Sequence, residues 1–230
     1  LSGDRGELIR LDDVVPADPA RIIAEMHRYW RTLCRGRAVP DRADVEPQGL
    51  RHILDFAFIL ERIAPGAARF RLAGRHLVDL MGMEVRGMPV CSLLNPDSRG
   101  RLSDLLETVF KGPQIATLQL HSPGSFGRPS LDGRLLFLPL RSDLGDVTRA
   151  LGCLVSQGEI GRGPRRFDVT GDSISPVIEG ARPISPVAEA FEEPAPRWRA
   201  PPLPAQRPPA PPPRRETPEE LRARFHIVKG

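Results

Sequence analysis

A chain of 230 residues, with 33 Lys+Arg against 29 Asp+Glu and 26 Pro, is long enough for one ordinary domain of about 100 to 200 residues plus an extension. The net charge of +4 does not mark a nucleic-acid binder. Up to residue 160 there are 21 cationic and 20 acidic residues (21 − 20 = +1), and beyond it 12 and 9 (12 − 9 = +3), so the excess lies among prolines, at Arg197, Arg199, Arg207, Arg214 and Arg215, rather than on a folded face. Cys34, Cys91 and Cys153 are far apart and form no C-x-x-C, which reads as thiols in a reducing compartment. The longest apolar run, ILDFAFIL, is broken by Asp55 and falls short of the ~18 residues a membrane span needs; with no secretory pattern at the start, the expectation is a cytoplasmic protein.

The first element is PADPARIIAEMHRYWRTLCRG. Asp18 before Pro19 is a helix start, and Gly36 after Arg35 is a stop. Between them Ile22, Ile23, Met26, Tyr29, Trp30 and Leu33 recur at three- and four-residue spacings, one apolar stripe of an amphipathic helix. This stripe has two uses: packing on the chain's own sheet, or pairing with a second copy in a homodimer. VPDRADVEPQGLRHIL follows as a Pro-punctuated connection.

DFAFILERI and ARFRLAG read as two strands joined at Pro65-Gly66, a plausible hairpin. Residues 75–83 predict a short helix with Leu77, Leu80 and Met81 on one face. NPDSRGRLSDLLETVFKG predicts a longer one, capped by Asn95 or Asp97 and ended by Gly112, with Leu102, Leu105, Leu106, Val109 and Phe110 as its stripe. Three further strands follow in QIATLQLHS, GRLLFLPLRSD and RALGCLVSQG. Spacings this short favour antiparallel pairing, so the fold class is α+β: a five-stranded antiparallel sheet with helices over one face, preceded by the amphipathic helix.

Beyond Ile160 periodicity is lost. Residues 161–215 read as a disordered Pro-rich linker, extended and polyproline-like over PAPRWRAPPLPAQRPPAPPPRR. The last stretch, residues 216–230, is different. Thr217, Pro218, Glu219 and Glu220 make a helix start, and Leu221, Phe225, Ile227 and Val228 supply apolar contacts, so it reads as a short partner-docking motif. The organisation is thus an N-terminal segment (1–20), a domain with its flanking helix (21–160), the linker and the motif.

FRLAGRHLVDLMGMEVRG has the strand, glycine and helix order of a phosphate cradle. A dinucleotide fingerprint needs glycines at its first, third and sixth positions, whereas Gly74 is followed by Arg75 and His76, with the next glycines at Gly82 and Gly87; a P-loop needs Gly-Lys-Ser/Thr, which neither lysine provides. The stretch is not a nucleotide motif.

The helix bearing YWRTL, the connection P-x-R-x-D-x-x-P (Pro40, Arg42, Asp44, Pro47), two strands, and RLAG leading into LVDLMGMEVRGMPV together resemble the compact PAS domains common as small stand-alone proteins in alphaproteobacteria. The resemblance covers residues 22–157. A near absence of lysine, with only Lys111 and Lys229, agrees with a GC-rich bacterial source. The resemblance implies a five-stranded antiparallel sheet whose helices between the second and third strands enclose a small pocket. Where many members carry Gly-Thr, this chain has Gly74-Arg75, placing a bulky cation at the pocket's entrance.

On that reading Leu77, Leu80, Met81, Val85, Phe110, Leu118, Leu120 and Phe137, with Cys153, face the interior between sheet and helices, where a ligand would be small and apolar. His76 is the one residue placed to bind haem, but it reads as a surface or capping residue. His52 and His121 have no metal-ligand spacing. Cys91 lacks the Asn-Cys-Arg-Phe run of flavin photoreceptors and reads as a structural thiol. The expectation is no cofactor, neither haem nor flavin, no metal and no catalytic residues; SPGSFGRPS has serines but no nucleophile elbow. The functional expectation is a sensory or regulatory protein that acts through protein contacts and does no chemistry itself. The alternative is a scaffold or localisation adaptor with an empty pocket, its function carried by the tail.

Overall fold

The computed structural model describes residues 18–178. Helix α1 (Pro19–Cys34) opens where Asp18 accepts a hydrogen bond from the Ala20 amide at 3.0 Å, and closes with Arg35 in the left-handed region. Strands β1 (Ala57–Ala64) and β2 (Ala67–Ala73) form the expected hairpin. Helices α2 (Arg75–Met81) and α3 (Arg99–Lys111) follow, then β3 (Gln114–Ser122), β4 (Leu131–Arg141), β5 (Val147–Gln157) and β6 (Asp168–Pro176). The strands form one sheet in the order β2-β1-β5-β4-β3-β6 with every pair antiparallel.

The runs LLFLPL in β4 and LGCLVS in β5 are buried throughout because both faces of the sheet are covered. Successive side chains point to opposite faces. Leu135 and Phe137 join Phe58, Leu60, Phe70, Leu118 and Leu154 under α2 and α3, while Leu136, Leu138, Leu151, Cys153 and Val155 join Ile59 under α1. Cys153 therefore lies on the α1 face and not, as the sequence suggests, in the interior under α2 and α3.

On the α1 face Ile22, Met26, Trp30 and Leu33 are buried. Trp30 Nε1 donates to the Pro139 carbonyl at 2.8 Å. Pro139 lies beyond Phe137, the last β4 residue paired with β3, so its carbonyl is open to a partner from outside the sheet. The apolar stripe of α1 is thus used within the chain.

Two expectations are corrected. The sheet has six strands, not five, and the ordered domain does not stop at residue 160: the start of the presumed linker forms β6. That segment carries few apolar residues, and an edge strand needs few because its backbone bonds to one neighbour hold it. Phe167, fully buried, anchors its entry, donating from N to Leu93 O and accepting at O from Asn95 N, both at 2.9 Å. Ser98 stands at the N-cap position just before α3, yet its hydroxyl accepts from Val169 N at 2.9 Å rather than capping the helix, and Arg101 pairs with Asp172. β6 is therefore built together with α3, which no local periodicity reports.

Candidate functional site

The connection between α1 and β1 is held by charge and by one phenol. Arg37 donates to the Leu33 and Cys34 carbonyls at 3.2 and 3.3 Å, satisfying the end of α1, and pairs with both Asp41 and Asp44. Asp44 also accepts from the Asp41 amide at 3.1 Å, and the Arg37 bond holds its carboxyl below the usual carboxylate range. Tyr29 is half-buried; its hydroxyl donates to Glu46 O at 3.0 Å and accepts from Glu46 N at 2.9 Å. Its ring lies so close to Gly49 that a Cβ there would stand 2.2 Å from Cε2. The P-x-R-x-D-x-x-P segment is a strap clamped to α1 through Asp44 and the Glu46 backbone, while Arg42 and Pro47 face a cavity.

The strap ends against the start of α2. A Cβ on Gly74 would lie 2.3 Å from the carbonyl oxygens of both Leu54 and Asp55, a distance no side chain tolerates. Close backbone approach, not a phosphate, explains the glycine in RLAG. Arg75, at the expected entrance, is 81 % exposed and lies 3.8 Å from Asp79. His76 is not a surface residue. Its ring packs against Phe56 at 4.9 Å, and its Nε2 accepts from the Ser156 amide at 3.2 Å, with the Ser156 hydroxyl 3.0 Å away. Accepting the amide hydrogen requires a neutral ring protonated on Nδ1, and burial pushes the His76 pKa down in agreement. β1 pairs with β5 only as far as Cys153, so past that point His76 takes up a β5 amide. Ser156 falls in a strand run of the sequence, and only the three-dimensional pairing reveals its role. The pair has the atoms of a nucleophile and a base, but Ser156 is 6 % exposed and the same nitrogen holds a backbone bond.

Leu77, Leu80, Met81, Val85, Phe110, Leu118, Leu120 and Phe137 come together in one cluster, in agreement with the sequence pattern. These eight retain 0 to 4 % of their accessible surface. They pack on one another as core. The apolar opening lies elsewhere, on the α1 face where α1 does not reach the β1–β2 hairpin. There a cavity of about 430 Å³ is walled by Val45, Leu50 and Leu54 of the strap and by Ile59, Leu72 and Leu151 of the sheet, and it extends to Gly74 and Arg75. Leu54 and Leu72 are 44 % and 49 % exposed. A strap and a bare hairpin meeting at this point leave no periodic signal.

Cys91 is half-buried against the α2–α3 cluster. His121 pairs with Asp132 at 2.7 Å and His52 is exposed; among the described residues no three His, Cys, Asp or Glu side chains converge as a metal site. No described helix is long and apolar enough to cross a membrane. The tail residues Leu221, Phe225, Ile227 and Val228, with the motif of 216–230, lie outside the described residues.

A family model described as "PAS domain" matches residues 20–155, more than half of the chain. The chain belongs to the PAS domain family. No curated protein matches. Solved structures similar to this PAS protein include one titled for a flavin analogue and the mechanism of a light-oxygen-voltage domain, at 20 % identity and TM-score 0.35 over 49 % of this chain and 84 % of that one. Two others are the LOV domain of the blue-light photoreceptor Aureochrome1: the light state at 16 % identity and TM-score 0.35, over 49 % and 88 % of the two chains, and the dark state at 16 % and 0.36, over 48 % and 80 %.

Proposed function

We propose that this is a cytoplasmic sensory and regulatory PAS protein that acts by contact with a partner protein and not by catalysis, with a small apolar ligand in the cavity beside β1 and β2 setting that contact. The observation that carries the proposal is the cavity itself: about 430 Å³, with leucine and isoleucine walls, ending at Gly74 and Arg75. A volume in this range suits a small molecule. Its occupant would touch the strap and the first turn of α2, the elements joined through Gly74, Phe56 and His76. Intramolecular use of the α1 stripe favours a heterologous partner over a homodimer built on α1, and the apolar tail motif at Leu221, Phe225, Ile227 and Val228 is the docking element we assign to that partner.

The test is native against denaturing mass spectrometry on the full-length chain, with an absorption spectrum. The proposal expects a stoichiometric, non-covalent mass released on denaturation. A clean apo mass, with no apolar metabolite retained from an extract, would overturn the ligand.

The scaffold reading has one observation of its own, the closed packing under α2 and α3. The two readings part on variants. If the ligand sets the contact, Leu72→Arg in the cavity wall disturbs partner capture more than deletion of the residues after Glu216. A scaffold shows the reverse.

A further inference from the structure

At the opposite end of the sheet from the β1–β2 hairpin, the loop between β3 and β4 and the connection between β5 and β6 enclose a second cavity of about 470 Å³. Its walls carry Arg128, Arg165, Arg166, Asn95, Ser122 and Ser125. None of them lines the apolar cavity, so the two cavities are independent sites and either can hold a ligand without the other.

Arg165 is the unusual member. It is 1 % exposed, yet no carboxylate among the described residues pairs with it, with Arg128 or with Arg166. Its guanidinium is met by neutral acceptors only. Nη1 donates to the Ile160 carbonyl at 3.1 Å, and Nη2 donates to the Pro129 carbonyl at 2.7 Å and the Ser122 hydroxyl at 3.1 Å. Nε is buried and has no acceptor at all. Arg128 adds a second positive charge, its Nη2 reaching the Gly163 carbonyl at 3.4 Å, and Arg166 lies exposed on the rim. The nearby Asp168 is engaged by Asn95, whose Nδ2 donates to it at 2.9 Å.

A buried charge without a counter-charge is costly, and carbonyl dipoles offset only part of that cost. Burial and then the neighbouring Arg128 push the Arg165 pKa down, yet an arginine is not relieved by losing its proton at neutral pH. Three like charges around one polar cavity also repel one another. The arrangement is complete only when an anion supplies the counter-charge, and guanidinium forks match the geometry of oxyanions. We infer that this cavity binds a small molecule through a doubly charged oxyanion group, with Arg165 as the buried floor and Arg128 and Arg166 as the walls. The group is a phosphoryl or a paired carboxylate.

The experiment is a titration of the full-length chain, ¹⁵N-labelled at arginine, with inorganic phosphate and separately with succinate at low ionic strength, following the arginine Nε–H signals. The inference expects a saturable shift of the Arg165 signal with at least one of the two. Tighter phosphate binding assigns a phosphoryl ligand, and tighter succinate binding a dicarboxylate. Arg166→Gln, an exposed change that leaves the fold intact, should weaken binding about tenfold, the equivalent of ~1.4 kcal/mol. Arg128→Gln should do the same, Arg28→Gln, exposed on α1, should do nothing, and added sodium chloride should weaken the affinity. No saturable shift with either anion, or an affinity indifferent to both Arg166→Gln and Arg128→Gln, would overturn the site and leave Arg165 as a loop pin.

Discussion

The two faces of the sheet are built by different rules. Under α2 and α3 the covering helices follow the hairpin directly, and their side chains close on the strands until almost no accessible surface remains. On the other face α1 covers β4 and β5, but the hairpin is covered only by the Pro-rich strap, which cannot follow it closely because its own backbone is fixed by Arg37, Tyr29 and Gly74. Covering by a helix gives a core, while covering by a strap leaves a cavity. In this PAS domain the place to look for a ligand is therefore the α1 face at the hairpin.

The sharpest contrast is between substitutions on covered and uncovered surface. Trp30→Ala should destabilise by about 3–5 kcal/mol, since it removes a side chain 1 % exposed and leaves the Pro139 carbonyl without its donor; chemical denaturation checks this. Leu80→Ala, on the closed face, should cost about 2–5 kcal/mol in the same assay. Leu72→Ala, in the cavity wall, should stay within about 0.5–1 kcal/mol. If Leu72→Ala costs as much as Leu80→Ala, the two faces are equally packed and the contrast fails.

Charge sharpens the comparison near the hairpin. Glu61, 13 % exposed, accepts from Arg71, Arg69 and Arg149, and these bonds hold its pKa down to about 2. A carboxyl whose pKa is lower in the folded state stabilises the fold at neutral pH. That contribution is complete above about 4.5, the value for an unperturbed Glu, and is lost as pH falls toward about 2. Glu61→Gln should remove about 1–2 kcal/mol at pH 7 and flatten the acid leg of a stability profile measured by urea titration.

The smallest effect belongs to His76. Burial lowers its pKa, so below the ordinary value near 6.5 the unfolded chain takes up a proton that the native ring refuses. Stability should be full above pH 6.5 and decline as pH falls through that range. His76→Gln should remove this step while leaving the Glu61 leg intact.

Much of the fold is legible in the sequence because periodicity and punctuation report covered surface. Asp18, the apolar stripe of α1, Pro65-Gly66, and the strand runs β3 to β5 all fall where the pattern puts them. The strand β6 is not legible, because its hold on the domain comes from Phe167, Ser98 and backbone bonds to β3 rather than from an apolar pattern of its own. The eight interior candidates do come together, since alternation shows which residues face inward, but alternation does not tell a filled interior from a hollow one. The apolar cavity depends on the distance between strap and hairpin. The arginine cavity depends on two loops meeting, and neither loop carries a motif.

The most direct test of the two-faced account is a methyl spectrum of the full-length chain under xenon, which enters apolar cavities. The account predicts shifts at the methyls of Leu50, Leu54, Ile59, Leu72 and Leu151, with those of Leu77, Leu80, Leu105 and Leu118 unmoved. Shifts confined to the second group would contradict it and return the ligand site to the interior under α2 and α3.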